Sequence, residues 1–382
     1  MATINFISNL AEDLTGGGYS ARNRAVLKAL RRDYEVRYVG PIDPPAAPHR
    51  KLISKALRMV GLPGRFSFYD PARLERIAKD YEALADRTAR LDFFHGFTPW
   101  ILTTPSRPFI AWNDCTFHDY MNIYHDRSDF SGDDLAKIER REATWLGGAN
   151  IIVFRSTYFA KRGLEQYGLR AELVKSVSNF GAVTPPMSDD YRDEALFLFM
   201  STNFAGKGGS VVLEAFAKVR SRFPESTLAV IGDHASDVPP PAGVEWVGFL
   251  RKDDPLQQAK LVGLFSRGMA ILHPTMKDTN PAVIIEAAYF GCPAIASRAF
   301  AIPEFVEDGR TGLLLDAPRD PDEVAAQMIW MLENPVAYAE MRRAVRSRAL
   351  AEFTADAFED QILDIVAGVL SRADRSSAGS GA

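Results

Sequence analysis

The chain has 382 residues, with 45 basic and 49 acidic side chains and a formal net charge of −4. That balance argues against a protein that binds nucleic acid in bulk, and the length suits two domains rather than one core. Its two cysteines, Cys115 and Cys292, fall in different predicted domains. Neither a disulfide framework nor a cysteine metal site is therefore expected, and a reducing cytoplasm is the expected setting.

In chain order, MATINFISNLAEDL has no basic start and no long apolar stretch, so no secretory signal is predicted. No apolar run reaches the roughly eighteen residues of a spanning helix. Thr3 to Ile7 predicts a strand, and Thr15-Gly16-Gly17-Gly18-Tyr19-Ser20 leads into a helix from about Ala21 to Arg32. A second strand is predicted over Tyr34 to Val39. Glycines between a strand and its helix let the backbone approach a ligand, which makes Gly17 and Gly18 candidates. A flexible surface loop explains them equally well. The spacing is not G-x-G-x-x-G, and no acid closes the second strand at Gly40-Pro41, since Asp43 comes late. The dinucleotide fingerprint is absent, which disfavours a dehydrogenase.

Residues 49–65 carry Arg50, Lys51, Lys55, Arg58 and Arg65 opposite Leu52, Ile53, Ala56, Leu57 and Val60 at helical spacing. The favoured expectation is a surface helix packing its apolar stripe on the core. The alternative is a basic amphipathic helix lying on an anionic membrane. Further on, Leu91 to Phe94 ends at His95-Gly96, and Phe109 to Trp112 ends at Asn113-Asp114-Cys115-Thr116-Phe117-His118. Asp114, His95 and His118 are candidates here, although Asn and Asp in such loops most often cap turns. Trp112 and Phe117 are expected in the core. The polar stretch Thr184 to Glu194 reads as a linker, giving domains of residues 1–185 and 186–352.

Ala195 to Met200 is a continuous apolar run of the kind found in a buried parallel strand. Ser201-Thr202-Asn203-Phe204-Ala205-Gly206-Lys207-Gly208-Gly209 follows, and then an amphipathic helix. Strand, glycine loop, lysine and helix make a phosphate cradle, with Thr202, Asn203 and Lys207 as candidates. The Walker A spacing fails. Thr227 to Gly232, Val244 to Phe249 and Met269 to Leu272 read as further strands, with helices at Leu256 to Phe265 and Asp322 to Leu332. Such alternation implies a doubly wound parallel sheet. After His273-Pro274 come Asp278, Thr279, Asn280, Pro281, Ala282 and Val283, with Glu286 just over a turn into a helix. Asn suits the N-cap and Pro the first helical position, and the free amides of Ala282 and Val283 would attract phosphate. Carboxylates flanking an anion site suggest a ligand rich in hydroxyls, such as a nucleotide sugar. Taken alone, this motif fits a capped helix in an ordinary α/β domain better. Phe353 to Leu370 reads as a closing helix and residues 371–382 as a disordered tail.

Asp278 and Glu286 enclose seven residues, an arrangement that resembles the E-x7-E signature of retaining glycosyltransferases of the GT-B fold, family 4, with Asp in the first place. The Lys207 loop and Ile302-Pro303-Glu304 to Leu314 resemble further family segments, and the likeness runs almost continuously through the C-terminal half. It implies two Rossmann-like α/β domains facing an interdomain cleft, with the last helix crossing back to the first domain. It implies that Lys207 meets the pyrophosphate, Glu286 holds the nucleotide ribose and Asp278 touches the transferred sugar. Asp114 aligns with the place near that sugar where members often carry His, with His95 and His118 on the acceptor side. Thr202 stands where many members carry Arg, which removes one of two expected cations. A UDP- or GDP-linked donor, a saccharide or lipid-linked acceptor, and neither cofactor nor metal follow from the resemblance. A non-catalytic nucleotide-sugar-binding protein and a nucleotide-sugar epimerase remain alternatives, whereas a solute-binding protein would need export.

Overall fold

The computed structural model describes every residue except 15–17, 190, 192, 193, 235–238 and 380–382. The chain forms two units, one made of Met1–Val177 with Phe358–Ala382 and the other of Ser178–Ala357.

In the first unit the chain runs β1 (Thr3–Ile7), α1 (Gly18–Asp33), β2 (Glu35–Val39), α2 (Pro48–Met59), α3 (Pro71–Leu84), β3 (Leu91–His95) and β4 (Phe109–Asn113). It continues through α4 (Phe117–Tyr124), α5 (Gly132–Gly147), β5 (Ile151–Phe154), α6 (Thr157–Tyr167) and β6 (Val174–Ser176). The strands are parallel and ordered β2-β1-β3-β4-β5-β6. Central strands buried on both faces read as unbroken apolar runs, as Ile151–Phe154 does. Trp112 and Phe117 are both buried, as expected.

The second unit repeats the plan with β7 (Leu196–Ser201), α7 (Gly209–Arg222), β8 (Thr227–Gly232), β9 (Val244–Gly248), α8 (Pro255–Arg267), β10 (Gly268–His273) and α9 (Ala282–Ala288). Then come β11 (Ala294–Ser297), α10 (Ile302–Phe305), β12 (Gly312–Leu315), α11 (Pro321–Glu333) and α12 (Pro335–Glu352). Its parallel sheet is ordered β12-β11-β10-β7-β8-β9. Phe197 and Phe199 of β7 meet Val212 and Phe216 of α7 and Met328 and Met331 of α11 in one apolar core. The last helix, α13 (Ala355–Gly379), returns from Phe358 onward to the first unit. There Lys28 pairs with Glu359 at 2.7 Å, and the ring of Phe358 lies 6.2 Å from that of Trp112.

Three expectations are corrected. The first unit ends at Val177 rather than 185, because the residues just after it hydrogen-bond to α9 and its C-cap: Gly181 N donates to Tyr289 Oη at 2.9 Å and Ala182 N to Glu286 Oε1 at 2.9 Å. The helix expected to stop at Leu370 continues to Gly379, with Asp374 paired to Arg90, so most of the supposed disordered tail is helical. The apolar stripe of α2 does not pack on a core, since Ser54 is the helix's only buried residue. Leu52, Ile53, Met59 and Val60 are exposed.

Candidate functional site

In a doubly wound sheet, ligands bind beyond the carboxyl ends of the strands where the order reverses. In the second unit that point lies between β7 and β10, which pair directly. Lys207 follows β7 and Asp278 follows β10, and the structure brings them together. The Lys207 ammonium donates to Asp278 Oδ2 at 2.6 Å and to the Lys277 carbonyl at 2.7 Å.

The Lys207 loop is held by its own hydrogen bonds. Asn203 N donates to Ser201 Oγ, Gly206 N to Asn203 Oδ1 and Phe204 N to Asp233 Oδ2. Gly208 closes the loop with φ +88°, and a Cβ there would stand 2.6 Å from the Pro274 carbonyl oxygen. Only glycine tolerates both the left-handed turn and the close approach to the β10 loop. Thr202 is exposed and opens the loop, so no cation occupies the place where the resemblance led one to expect Arg.

Around Asp278 the polar groups outnumber their partners. His273, 2% exposed at the end of β10, brings Nε2 to 3.3 Å from Asp278 Oδ2. Neither of its ring nitrogens makes a well-directed hydrogen bond. Burial raises the Asp278 carboxyl, but His273 and Lys207 outweigh it and hold it down at about 2, below its ordinary 3.8. A depressed carboxyl stabilises the fold above its unfolded value and loses that contribution as pH falls through the folded one. Asp278→Asn should therefore cost about 2 kcal/mol at neutral pH. The difference from the parent should shrink between about pH 4 and pH 2. Denaturant midpoints across that window check this, and a pH-independent difference would contradict it.

Asn280 is 7% exposed, and both side-chain polar atoms lack a hydrogen-bond partner. Its main-chain carbonyl accepts from Asn179 Nδ2 at 3.3 Å. Two orphan polar atoms in a native interior call for an explanation, and a polar ligand at this place supplies one. Asn280 was expected as the N-cap with Pro281 as the first helical residue. Instead Pro281 is the N-cap, with ψ 103°, and α9 starts at Ala282. Thr279 is buried beside it.

Glu286 is 0% exposed, not a solvated surface carboxylate. Lys252 Nζ donates to Oε1 at 2.5 Å and to Oε2 at 2.6 Å, and Ala182 N donates to Oε1. The loop between β9 and α8 carries Lys252 to this place. Lys252, Ala182 and His273 belong to the site although motif reasoning passed over them. Only His273, at a strand's carboxyl end, carried a sequence signal.

The candidates of the first unit lie at the carboxyl ends of β1, β3 and β4. His95 is fully buried and presents no surface to an acceptor, which corrects its assignment to an acceptor side. Ser8 Oγ lies 3.3 Å from its Nδ1, and its ring stacks on Trp112 at 4.9 Å. Burial, helped by the Arg155 charge, lowers it to about 3, so it stays neutral. Asp114 pairs with Arg155. His118 lies on α4, with Nδ1 3.0 Å from Glu139 Oε1. Gly17 lies outside the described residues, and Gly18 begins α1. Among the described residues no group of three or more His, Cys, Asp and Glu is placed to hold a metal ion.

Residues 187–350 match the family model described as Glycosyl transferases group 1. Glycogen synthase from Mycobacterium tuberculosis is 28% identical over 157 residues, which cover 38% of this chain and 36% of that protein. D-inositol 3-phosphate glycosyltransferase from an Arthrobacter species is 28% identical over 150 residues, 37% of this chain and 35% of that protein. The chain thus spans well under half the length of these curated relatives. HepE from Anabaena, solved in complex with UDP, superposes with a TM-score of 0.66 at 18% identity over 96% of this chain and 100% of that one. The fold is GT-B, built of two Rossmann-like units.

Proposed function

We propose that this protein is a glycosyltransferase that moves a sugar from a nucleoside diphosphate to an acceptor hydroxyl, with retention of anomeric configuration and without a metal. The observation that carries this reading is the grouping at one sheet switch point of Lys207, Asp278, the unpartnered Asn280 side-chain amide and the buried Glu286. A uridine diphosphate sugar is the donor we favour, because structures of the Anabaena neighbour were determined with UDP and with UDP-glucose.

In this reading Lys207 turns from Asp278 to the diphosphate and offsets the charge that grows as the glycosidic bond breaks. The main-chain amides of Ala282 and Val283, with Thr279 and the loop residues Thr202 and Asn203, line the donor. Asp278 accepts from the hydroxyls of the transferred sugar, the Asn280 amide both accepts from and donates to them, and Glu286 holds the ribose. The bond from the anomeric carbon to the phosphate oxygen breaks as the acceptor oxygen bonds to the same face of that carbon. The departing phosphate oxygen takes the acceptor's proton, so no protein nucleophile is needed. The family resemblance assigns Asp114 to the transferred sugar and the first unit to the acceptor.

A thermal-shift screen against UDP, GDP, ADP and their sugar conjugates tests the reading. A ligand at about a hundred times its dissociation constant adds about 2.7 kcal/mol of stability. Stabilisation by UDP and its conjugates is expected, and no stabilisation by any nucleotide would overturn the donor site. Binding with neither transfer nor hydrolysis would favour the non-catalytic alternative, and interconversion of the donor sugar without an acceptor would favour the epimerase.

The exposed stripe of α2 supports a lipid-linked acceptor. Leu52, Ile53, Met59 and Val60 face solvent beside Lys51 and Lys55, the composition of a helix lying on anionic lipid. Among the described residues no helix is long and apolar enough to cross a membrane. The protein should sediment with vesicles containing phosphatidylglycerol but not with phosphatidylcholine alone, and Leu52→Glu with Ile53→Glu should release it. Equal behaviour with both vesicle types would remove this contact.

A further inference from the structure

An ionised carboxylate accepts at about four lone-pair sites. Glu286 already has three of them filled: one bond from Ala182 N and two from the Lys252 ammonium. A ribose presents two hydroxyl donors, the 2′ and the 3′, and only one site is open. Both can bind only if a bond already present is given up. The Ala182 bond is fixed by the main chain, whose neighbouring amide is tied to Tyr289 at 2.9 Å. Lys252 is different. It stands in an irregular loop, its side chain is 30% exposed, and its ammonium is a rotatable point charge on a flexible stem. Arg251 next to it is held by Asp253 at 2.9 Å and donates its main-chain amide to Gln257 at 2.8 Å. The loop is thus anchored while the lysine tip is free to turn.

We propose that Lys252 is the exchangeable counterion of Glu286. Its ammonium fills the ribose subsite when no nucleotide is bound and yields one carboxylate bond to the ribose diol. It thereby sets how strongly the site tells ribose from 2′-deoxyribose. The proposal rests on Glu286 being the ribose acceptor, and it adds a specificity-determining residue to that site. Two consequences follow from the bond count. With a 2′-deoxy ligand Lys252 keeps both of its bonds, so the missing hydroxyl leaves no buried acceptor unpaired and the penalty is small. Without the lysine the same missing hydroxyl leaves one more acceptor site of the buried carboxylate unfilled, which is costly.

The test is calorimetric titration of UDP and 2′-deoxy-UDP into the full chain and into Lys252→Met and Lys252→Arg variants. The ratio of the two dissociation constants should rise at least about tenfold in Lys252→Met. In Lys252→Arg it should fall, because a guanidinium fork holds both carboxylate oxygens at once and resists exchange. UDP should then bind more weakly, with little change for the deoxy ligand. A lysine that merely stabilised the fold would move both affinities together and leave the ratio alone. The same ratio in all three proteins, with UDP still bound by the parent, overturns the proposal and spares the donor site. A parent chain that binds neither ligand overturns both. If Lys252→Met does not fold, the direction of the Lys252→Arg ratio decides.

Discussion

Glu286→Ala is expected to weaken UDP binding by about a hundredfold and to bring sugar transfer below detection while the second unit stays folded. Each hydrogen bond from a ribose hydroxyl to a charged carboxylate is worth about 1.5–3 kcal/mol, and two at the low end give that factor. The variant also strips Ala182 N of its acceptor and frees the Lys252 ammonium, which can turn to solvent. A stability cost of about 1–3 kcal/mol follows. Titration calorimetry measures the first effect and a denaturant midpoint the second. A Glu286→Ala chain that bound UDP as tightly as its parent would place the ribose elsewhere.

Lys207→Ala should lower turnover by about a hundredfold to a thousandfold, the loss seen when one preorganised group facing developing negative charge is removed. UDP affinity should fall with it. Lys207 also holds Asp278, so a single substitution mixes two effects. A double-mutant cycle with Asp278→Asn separates them. If Lys207 acts on the diphosphate directly, it still matters when residue 278 is Asn. If it only positions Asp278, its removal is silent in that background. Unchanged turnover and affinity in the single variant would refute any role for it.

The folded pattern was open to reading wherever burial forces composition. Ala195 to Met200 and Met269 to Leu272 are apolar without alternation because both faces of β7 and β10 are covered, and their short length sets them apart from a buried helix. Asn280-Pro281 located α9 to within one residue. The stripe of α2 was misjudged because a helix that packs and a helix that stays bare have the same periodicity. Nothing in Leu52 or Ile53 states whether a partner exists. Lys252 was invisible for another reason. It lies in the charged run Arg251-Lys252-Asp253-Asp254, and its contact with Glu286 spans thirty-four positions of sequence. Ala182 contributes a main-chain amide, which no residue type announces. His95 was recognised at a strand end, but its complete burial depends on Trp112 and Phe6 from neighbouring strands.

The return of α13 to the first unit has a consequence for synthesis. Phe358, Ile362 and Val366 are fully buried there, yet they leave the ribosome only after every residue of the second unit. The first unit, although made first, therefore cannot complete its core until the second unit has been synthesised. Residues 178–357 emerge as an uninterrupted block and can close their core at once. The amino-terminal sheet, although made earlier, must wait with part of its apolar surface bare. During that interval the nascent chain exposes the apolar face that α13 will cover.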